Sequence, residues 1–372
     1  MAEQVLEPWV LEWTSSFINP QKRIFWGYLL SAAVIAFLWL RFACKIKLYQ
    51  SCKVIFNKEI WFSTSAKTDY LVMLLNSLLL TILSPRLLAK ATVAYFVYDL
   101  FSMWFQGNRL VTMELPQWLI AFGFTFFLFV FDDFARYWVH RWMHKWPILW
   151  ALHKVHHSAE TLNPITVYRT HPLEGILFSL RGAFSQGIVI SMFFFIFGDK
   201  VDLVTILGVN FLVFSFHVAG SNLRHSHIGI RYWKWLEYIF ISPAQHQLHH
   251  SVAFEHHDKN FGAALAVWDW LFGSLHHSVE FETLHLGIKK NQHDATHNLK
   301  NLYLDPIHEI KKHIFNKIKK IKNKFNKIIL KQTNHLINEV NKSKSFDDKL
   351  IGCASIISVS YTHLTLPTIY SV

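Results

Sequence analysis

Histidines recur at short spacing in three clusters of this chain. The segment "HRWMHKWPILWALHKVHH" (140–157) contains five histidines, and "SPAQHQLHH" (242–250) contains three more. Residues three or four apart are neighbours on a helix, so each cluster directs two or three ring nitrogens toward one point. That spacing is typical of metal ligands. The clusters are His140 with His144, His153 with His156 and His157, and His246 with His249 and His250.

The number of these histidines indicates two metal ions. One tetrahedral ion takes four ligands, whereas the clusters offer eight imidazoles. Neutral imidazole binds zinc, copper, iron and nickel alike. A closed structural zinc site commonly includes cysteine, and Cys44, Cys52 and Cys353 are all remote from the clusters in sequence. The residues favour an open two-metal site that activates water for hydrolysis or, with iron, uses dioxygen to attack a C–H bond.

Hydrophobic segments flank the clusters and must position them. The chain has 372 residues, 52% hydrophobic and 16% aromatic, which is typical of a multi-span membrane protein. About 20 apolar residues cross a bilayer. Five stretches reach that length, at roughly 24–43, 69–88, 116–139, 174–197 and 201–219. A lipid substrate is the natural expectation for a metal site at a membrane.

Charges in the connecting segments predict the orientation. Segments 44–68 and 140–172 are rich in Lys and Arg, which places both in the cytoplasm by the positive-inside rule. Only "GDK" (198–200) joins the fourth and fifth stretches, so they are expected to form a hairpin that returns the chain to the same face. The predicted fold is therefore an all-α membrane protein with about five transmembrane helices. Its cytoplasmic helical cap carries the His-rich di-metal site, with all three clusters converging.

Further motifs carry a resemblance to a known family. They are "YRTHPLE" (168–174), "SNLRHSHIGIRYWKWLEYIFISPAQHQLHHS" (221–251) and "DKNFGAALAVWDWLFGSL" (258–275). Together with the clusters they resemble the fatty acid hydroxylase/sterol desaturase superfamily of integral membrane di-iron oxygenases, in particular its bacterial sterol desaturase-like members. The resemblance covers about residues 115–290.

The resemblance implies a set of metal ligands for two iron ions, with no catalytic residue beyond them. A ninth ligand is expected from the segment after the hairpin, where the spacing to "LEYIFISP" favours His225. His171 is interpreted as either a ligand or a hydrogen-bonding partner of one, and Asn260 as a residue next to the ligands. The implied ligands are His140, His144, His153, His156, His157, His225, His246, His249 and His250, with His171, His217, His227 and Asn260 as further candidates.

The resemblance also implies an activity. The expected protein is a membrane oxidoreductase that hydroxylates or desaturates a lipid of sterol, fatty acyl or ether-lipid type with O2, located in a bacterial inner membrane. The chain has no dinucleotide fingerprint, Cys quartet or haem motif, so a separate electron donor is expected: a ferredoxin, a cytochrome or an NAD(P)H-linked reductase. The alternatives are a metal-dependent lipid hydrolase and a non-catalytic metal-binding or transport protein.

The end of the chain differs in composition from the rest. Residues 306–345 contain eleven Lys and two Glu, with Ile and Phe every three or four positions, which predicts a basic amphipathic helix on anionic lipid or, alternatively, a coiled-coil partner. Nucleic-acid binding is not expected of a membrane-anchored chain. The predicted regions are an N-terminal membrane region (1–114), a catalytic domain (115–290), a basic tail (291–358) and residues 359–372, interpreted as translated sequencing-adapter sequence.

Overall fold

α-Helices make up most of the protein in a computed structural model that describes residues 2–83, 90–107, 115–278, 284–288 and 297–342. Short 3₁₀ turns connect several of the helices. The α-helices are α1 (Ala2–Ile18), α2 (Trp26–Leu38), α3 (Leu48–Ile55), α4 (Lys58–Trp61), α5 (Thr64–Leu83), α6 (Lys90–Trp104), α7 (Gln117–Lys145), α8 (Pro147–His157), α9 (Pro172–Phe197), α10 (Phe211–Val218), α11 (Pro243–His249), α12 (Val267–Leu271) and α13 (Leu299–Lys342).

Three helices of the described chain are long and apolar enough to cross a membrane. They are α2 with the π-helical turn that follows it (Trp26–Ala43), α7 (Gln117–Lys145), and α9 with the turn that follows it (Pro172–Lys200). They correspond to the first, third and fourth predicted spans. The predicted second span, 69–88, is described only as far as Leu83; its helix α5 buries Asp69 and Asn76 and is not among the three.

The prediction of a fifth spanning helix over residues 201–219 is wrong. Two short strands, β1 (Thr205–Ile206) and β2 (Val209–Asn210), pair antiparallel there, and the fold is therefore not purely helical. Leu207 and Gly208 connect the strands with φ angles of 50° and 73°, the positive values that a tight two-residue hairpin turn requires. The eight-residue helix α10 follows. An apolar composition alone does not distinguish such a hairpin from a helix.

Helix α9 packs against both α6 and α7. Its contact with α6 is close, because a Cβ on Gly187 would lie 2.9 Å from Cγ1 of Val93. On the α7 side, Phe124 and Phe193 pack in a buried apolar cluster with ring centroids 5.3 Å apart and ring planes inclined at 51°. These contacts fix the position of α7 relative to α9. They therefore determine where the last turns of α7, which carry His140 and His144, lie.

The predicted basic helix is present as α13, which ends at Lys342 in the described chain. The chain divides into two compact units, and the second begins at Lys312 within this helix. In the second unit Ile318, Ile321 and Phe325 are exposed. Residues 359–372 lie outside the described residues, and the four predicted region boundaries stay predictions.

Candidate metal centre

A corner between α7 and α8 brings the first two histidine clusters together. Trp146 adopts extended dihedrals (φ −103°, ψ 119°), as expected before a proline, and Pro147 then opens α8 at its first turn. The chain therefore folds back after His144. The rings of His144 and His157 lie 4.7 Å apart.

The third cluster is carried by the short helix α11. Ser242 and Gln245 form a reciprocal capping box, and Pro243 occupies the first turn, so the sequence fixes the start of this helix strongly. His246 and His249 follow one turn later. His225 ends a separate 3₁₀ turn (Ser221–His225), and its ring centroid lies 4.4 Å from that of His246.

Nine histidines form two adjacent groups whose possible ligand atoms lie within 4.8 Å of one another in each group. All three clusters thus converge, as predicted, and His225 joins them. The expectation that each cluster serves one point holds only for His140 with His144, because the second and third clusters each contribute to both groups. We call these the five-histidine group and the four-histidine group. The first contains His140, His144, His153, His157 and His249, and the second contains His156, His225, His246 and His250.

Hydrogen bonds orient three rings of the five-histidine group. His140 donates Nδ1–H to the Phe261 carbonyl, and His249 donates Nδ1–H to the Lys259 carbonyl, both at 2.7 Å. His153 donates in the same way to Glu174 Oε1, also at 2.7 Å. Because a carbonyl oxygen carries no proton, His140 and His249 hold their hydrogen on Nδ1 and present the Nε2 lone pair. His153 does the same when Glu174 is ionised. This is the tautomer that a metal ligand needs.

Several buried ring nitrogens have no hydrogen-bond partner among the described residues. In the five-histidine group these include Nε2 of His144, His153 and His157, and in the four-histidine group both ring nitrogens of His250. Buried polar atoms without a partner are costly, and a cation bound in each group would use these lone pairs. The donor set of imidazoles, with no acidic or cysteine ligand in either group, fits transition-metal ions.

The histidines are held in the form that binds metal. Burial, together with the neighbouring imidazoles, lowers the pKa of His153, His157 and His250 well below the usual value. Burial also lowers the pKa of His249, to about 4. These rings are therefore neutral at physiological pH, and no proton competes with a metal ion for the lone pair.

Two acidic side chains hold the backbone segment whose carbonyls accept hydrogen bonds from the histidine rings. Asp133 on α7 accepts from the Ala264 and Leu265 amides at 2.9 and 3.1 Å. Asp269 accepts from the Phe261 and Gly262 amides at 2.8 and 2.7 Å. Sequence reasoning missed both residues, because each acts through the backbone of a segment whose position is set only by the fold.

Glu174 was also missed as a functional residue. It occupies the first turn of α9, is 1% exposed, and accepts from His153. The available signal was an acidic residue that opens an apolar helix directly after the histidine clusters. A buried Asp69–Arg169 ion pair at 3.0 Å, also unforeseen, holds the loop that leads to α9.

The four further candidates lie outside both groups. His171 caps α9, accepting from the Leu173 amide at 3.2 Å through Nδ1, and donates Nε2–H to the Tyr303 carbonyl at 3.1 Å, so both its nitrogens are engaged. The other three candidates also contact protein groups: His217 contacts Ser221 Oγ, His227 the Val54 carbonyl, and Asn260 the Gln245 carbonyl and the His276 amide.

Two cavities adjoin the histidine groups, and no histidine of the groups lines both. A cavity of about 210 Å³, here called the arginine cavity, is lined by His140, His153, His156, His225 and His246 together with Arg23, Arg136 and Arg224. A cavity of about 570 Å³, here called the Trp150 cavity, is lined by His144, His157, His249 and His250 with Trp150 and Asp258. The histidine groups therefore have an accessible surface on two sides.

Comparison with known proteins agrees with this geometry. A family model described as fatty acid hydroxylase matches residues 125–274, which include all nine grouped histidines and Glu174. This region belongs to the fatty acid hydroxylase family. The resemblance inferred from the sequence is thus confirmed. No solved structure gives a significant match to the chain.

Several curated proteins are similar to the family region and its surroundings. A probable Delta(7)-sterol 5(6)-desaturase of Neurospora crassa is 28% identical over 50% of this chain and 48% of its own length. Lathosterol oxidase of Mus musculus is 28% identical over 42% of this chain and 46% of its own. A very-long-chain aldehyde decarbonylase of Oryza sativa subsp. indica is 26% identical over 46% and 58%. The chain spans about half the length of these relatives.

Proposed function

We propose that the protein is an integral membrane di-iron oxidoreductase that hydroxylates or desaturates a lipid, using O2 and electrons from outside the chain. The observation that carries the proposal is the pair of adjacent histidine groups, buried for the most part, in a fatty acid hydroxylase family region. The similarity to sterol desaturases, a lathosterol oxidase and an aldehyde decarbonylase supports a lipid substrate.

The nine grouped histidines are the proposed ligands of two iron ions, one ion in each group. When bound, such a pair supplies dioxygen activation, the chemistry needed to oxidise an unactivated C–H bond. The protein's own contribution is orientation. Glu174 and the carbonyls of Phe261 and Lys259 fix three rings, and the apolar helices around the site keep bulk water from the reacting carbon.

The site is proposed to lie at the cytoplasmic face of a bacterial inner membrane. Lys45, Lys47, Lys53 and Lys58 follow the first spanning helix and favour that side. The region responsible is proposed to extend over residues 115–290, between the N-terminal membrane region and the basic tail. Electrons are proposed to come from a separate ferredoxin, cytochrome or NAD(P)H-linked reductase.

One experiment tests the reaction directly. The purified protein, loaded with iron and reduced, is incubated with a membrane lipid extract under ¹⁸O2, and the lipids are analysed by mass spectrometry. We expect a lipid that gains one labelled oxygen atom or loses two hydrogens, only with iron and only with O2. Lipid cleavage that proceeds equally without O2, in protein that retains zinc, would instead establish a hydrolase.

A further inference from the structure

Two arginines, the buried Arg224 and the half-buried Arg23, face the four-histidine group across the arginine cavity. Arg23 precedes the first spanning helix, and Arg224 lies in the 3₁₀ turn that carries His225 and is 5% exposed. Both guanidinium groups donate to the same backbone oxygen, that of Ser221, at 3.3 Å from Arg23 Nη2 and 3.2 Å from Arg224 Nε. One neutral carbonyl therefore serves two cations.

Neither arginine forms an ion pair with a residue of the described chain. Arg136, which lines the same cavity, pairs with Asp132 at 3.3 Å. In contrast, no carboxylate of the described residues lies within ion-pair distance of Arg23 or Arg224. The buried Arg23 Nε has no hydrogen-bond partner among the same residues. Holding two unpaired cations beside each other, one buried and one half-buried, is costly, which indicates that an anion completes the site.

The chemistry of the guanidinium group defines which anion fits. Its planar fork of N–H donors matches the oxygens of a carboxylate or a phosphate better than any neutral group. Because the arginine cavity opens onto five of the grouped histidines, the anion would lie beside the proposed metal ions. We propose that the lipid substrate carries an anionic oxygen head group, which Arg23 and Arg224 bind in the arginine cavity. This inference rests on the proposed function and specifies its substrate class.

The position of His225 supports an acceptor at this place. Its Nδ1 lies 3.3 Å from Arg23 Nη2, while its Nε2 lies 3.0 Å from His246 Nε2 inside the four-histidine group. If Nε2 binds a metal ion, the hydrogen of the neutral ring must be on Nδ1, and a donor then faces the Arg23 donor. An anionic oxygen between them accepts from both. Head-group binding and the metal-binding tautomer of His225 therefore favour each other.

The size of the cavity limits how far the oxidised carbon is from the head group. A volume of about 210 Å³ is that of roughly seven water molecules at about 30 Å³ each, enough for a head group and the first few carbons. Val167, Phe178 and Ala263 supply the apolar part of the lining. We therefore expect oxidation close to the charged end of the lipid.

Binding to the metal-free protein tests the proposal. The affinities of a long-chain fatty acid, the alkyl phosphate of equal chain length and the corresponding fatty alcohol are measured by calorimetry in detergent. Wild type is expected to bind one of the two anions at least about tenfold more tightly than the alcohol. Arg23→Gln and Arg224→Gln should each reduce that preference by about tenfold, the size of one charge-assisted hydrogen bond. Alcohol affinity should change less than about twofold.

The controls separate this proposal from its alternatives. Arg41→Gln removes an exposed arginine and should leave the preference intact, whereas Arg23→Lys keeps the charge and should retain most of it. The better anion identifies the head group as carboxylate or phosphate. Equal binding of alcohol and anions by wild type, or an unchanged preference in both Gln variants, would overturn the proposal. Because no metal or turnover is involved, failure of the ¹⁸O2 experiment would leave this result standing.

Discussion

At the scale of single residues, the hydrogen bond made by Nδ1 of a histidine ring determines whether Nε2 has a free lone pair for a metal ion. Glu174 is the one acidic acceptor among the three that orient the five-histidine group; Phe261 and Lys259 use backbone carbonyls. A carboxylate makes the imidazole that donates to it more basic as well as fixing its tautomer. A side-chain acceptor, unlike a backbone carbonyl, can also be removed by a single substitution.

Replacement of Glu174 should therefore weaken metal binding without unfolding the protein. Glu174→Ala leaves the buried Nδ1–H of His153 without an acceptor, and we expect metal affinity to fall about 10- to 100-fold. Glu174→Gln keeps an oxygen acceptor and should lose less. The measurement is iron retention against a competing chelator. The exposed Glu59→Gln is the matched control, and equal retention by Glu174→Ala and this control would contradict the prediction.

The nine grouped histidines are distinguished from the other histidines by a second prediction. Replacing any one of them by Ala removes a donor from a group and should lower iron per chain, abolish turnover and leave membrane insertion intact. His308 is exposed on α13, and His308→Ala should keep normal iron. His227→Ala, whose ring contacts the Val54 carbonyl, should do the same. Iron per chain is measured by elemental analysis of each purified variant. Equal iron loss in the grouped-histidine variants and in the two control variants would indicate diffuse metal binding.

Sequence spacing was only partly sufficient for the residues that act as neighbours on one helix. His140 and His144 converge in one group because a helical turn separates them, whereas His246 and His249, also one turn apart, lie in different groups. Spacing could not decide the role of His171, because its position before Pro172 suits a helix cap as well as a ligand. Only the fold shows that the Tyr303 carbonyl takes its other nitrogen.

At the scale of elements, the contact between α6 and α9 supports the helix that presents Glu174. Gly187→Ala places a Cβ 2.9 Å from Val93 Cγ1 and 3.2 Å from the Ala94 amide nitrogen, so one helix must shift. We expect a loss of about 1–3 kcal/mol, the usual cost of overpacking. Thermal unfolding in detergent measures this loss as a lower midpoint.

Gly182 provides the control on the same helix. A Cβ there meets nothing within 4 Å, so Gly182→Ala should be neutral or stabilise α9 by up to about 1 kcal/mol through helix propensity. If Gly187→Ala were as stable as Gly182→Ala, the close approach of α6 and α9 would not exist in solution.

Elements were less predictable from the sequence than the site. Hydropathy predicted the three long helices because each contains an apolar run long enough to cross a bilayer. It failed at 201–219, where Leu207 takes a positive φ that its sequence does not signal and where Asn210 caps α10 through the Leu212 amide. Turn and cap chemistry, in which single polar residues decide the outcome, is averaged out in a hydropathy window.

At the scale of the whole molecule, the proposed orientation can be tested by thiol labelling. Cys52 is exposed on α3, after the first spanning helix. In a Cys44→Ser/Cys353→Ser variant, a membrane-impermeant maleimide should label Cys52 in inverted vesicles and not in intact spheroplasts. Labelling from the periplasmic side would contradict a cytoplasmic site.

A second cysteine position checks the opposite face. Lys200 is exposed in the turn after α9, at the end of the bundle where Phe197 and Val201 pack on Ile120 and Phe124. In a cysteine-free background, Lys200→Cys should be labelled in spheroplasts and not in inverted vesicles. Labelling of both positions from one side would show that α9 does not cross the membrane.

The distribution of the two groups along the chain has a consequence for biosynthesis. Four histidines of the five-histidine group come from residues 140–157, whereas three of the four-histidine group come from residues 225–250. The ribosome therefore completes most of the first group about seventy residues before it begins the rest of the second. A nascent chain that ends after α9 already holds four of five donors for one ion and only His156 for the other. We expect the two ions to be acquired in that order, the first while translation is still under way.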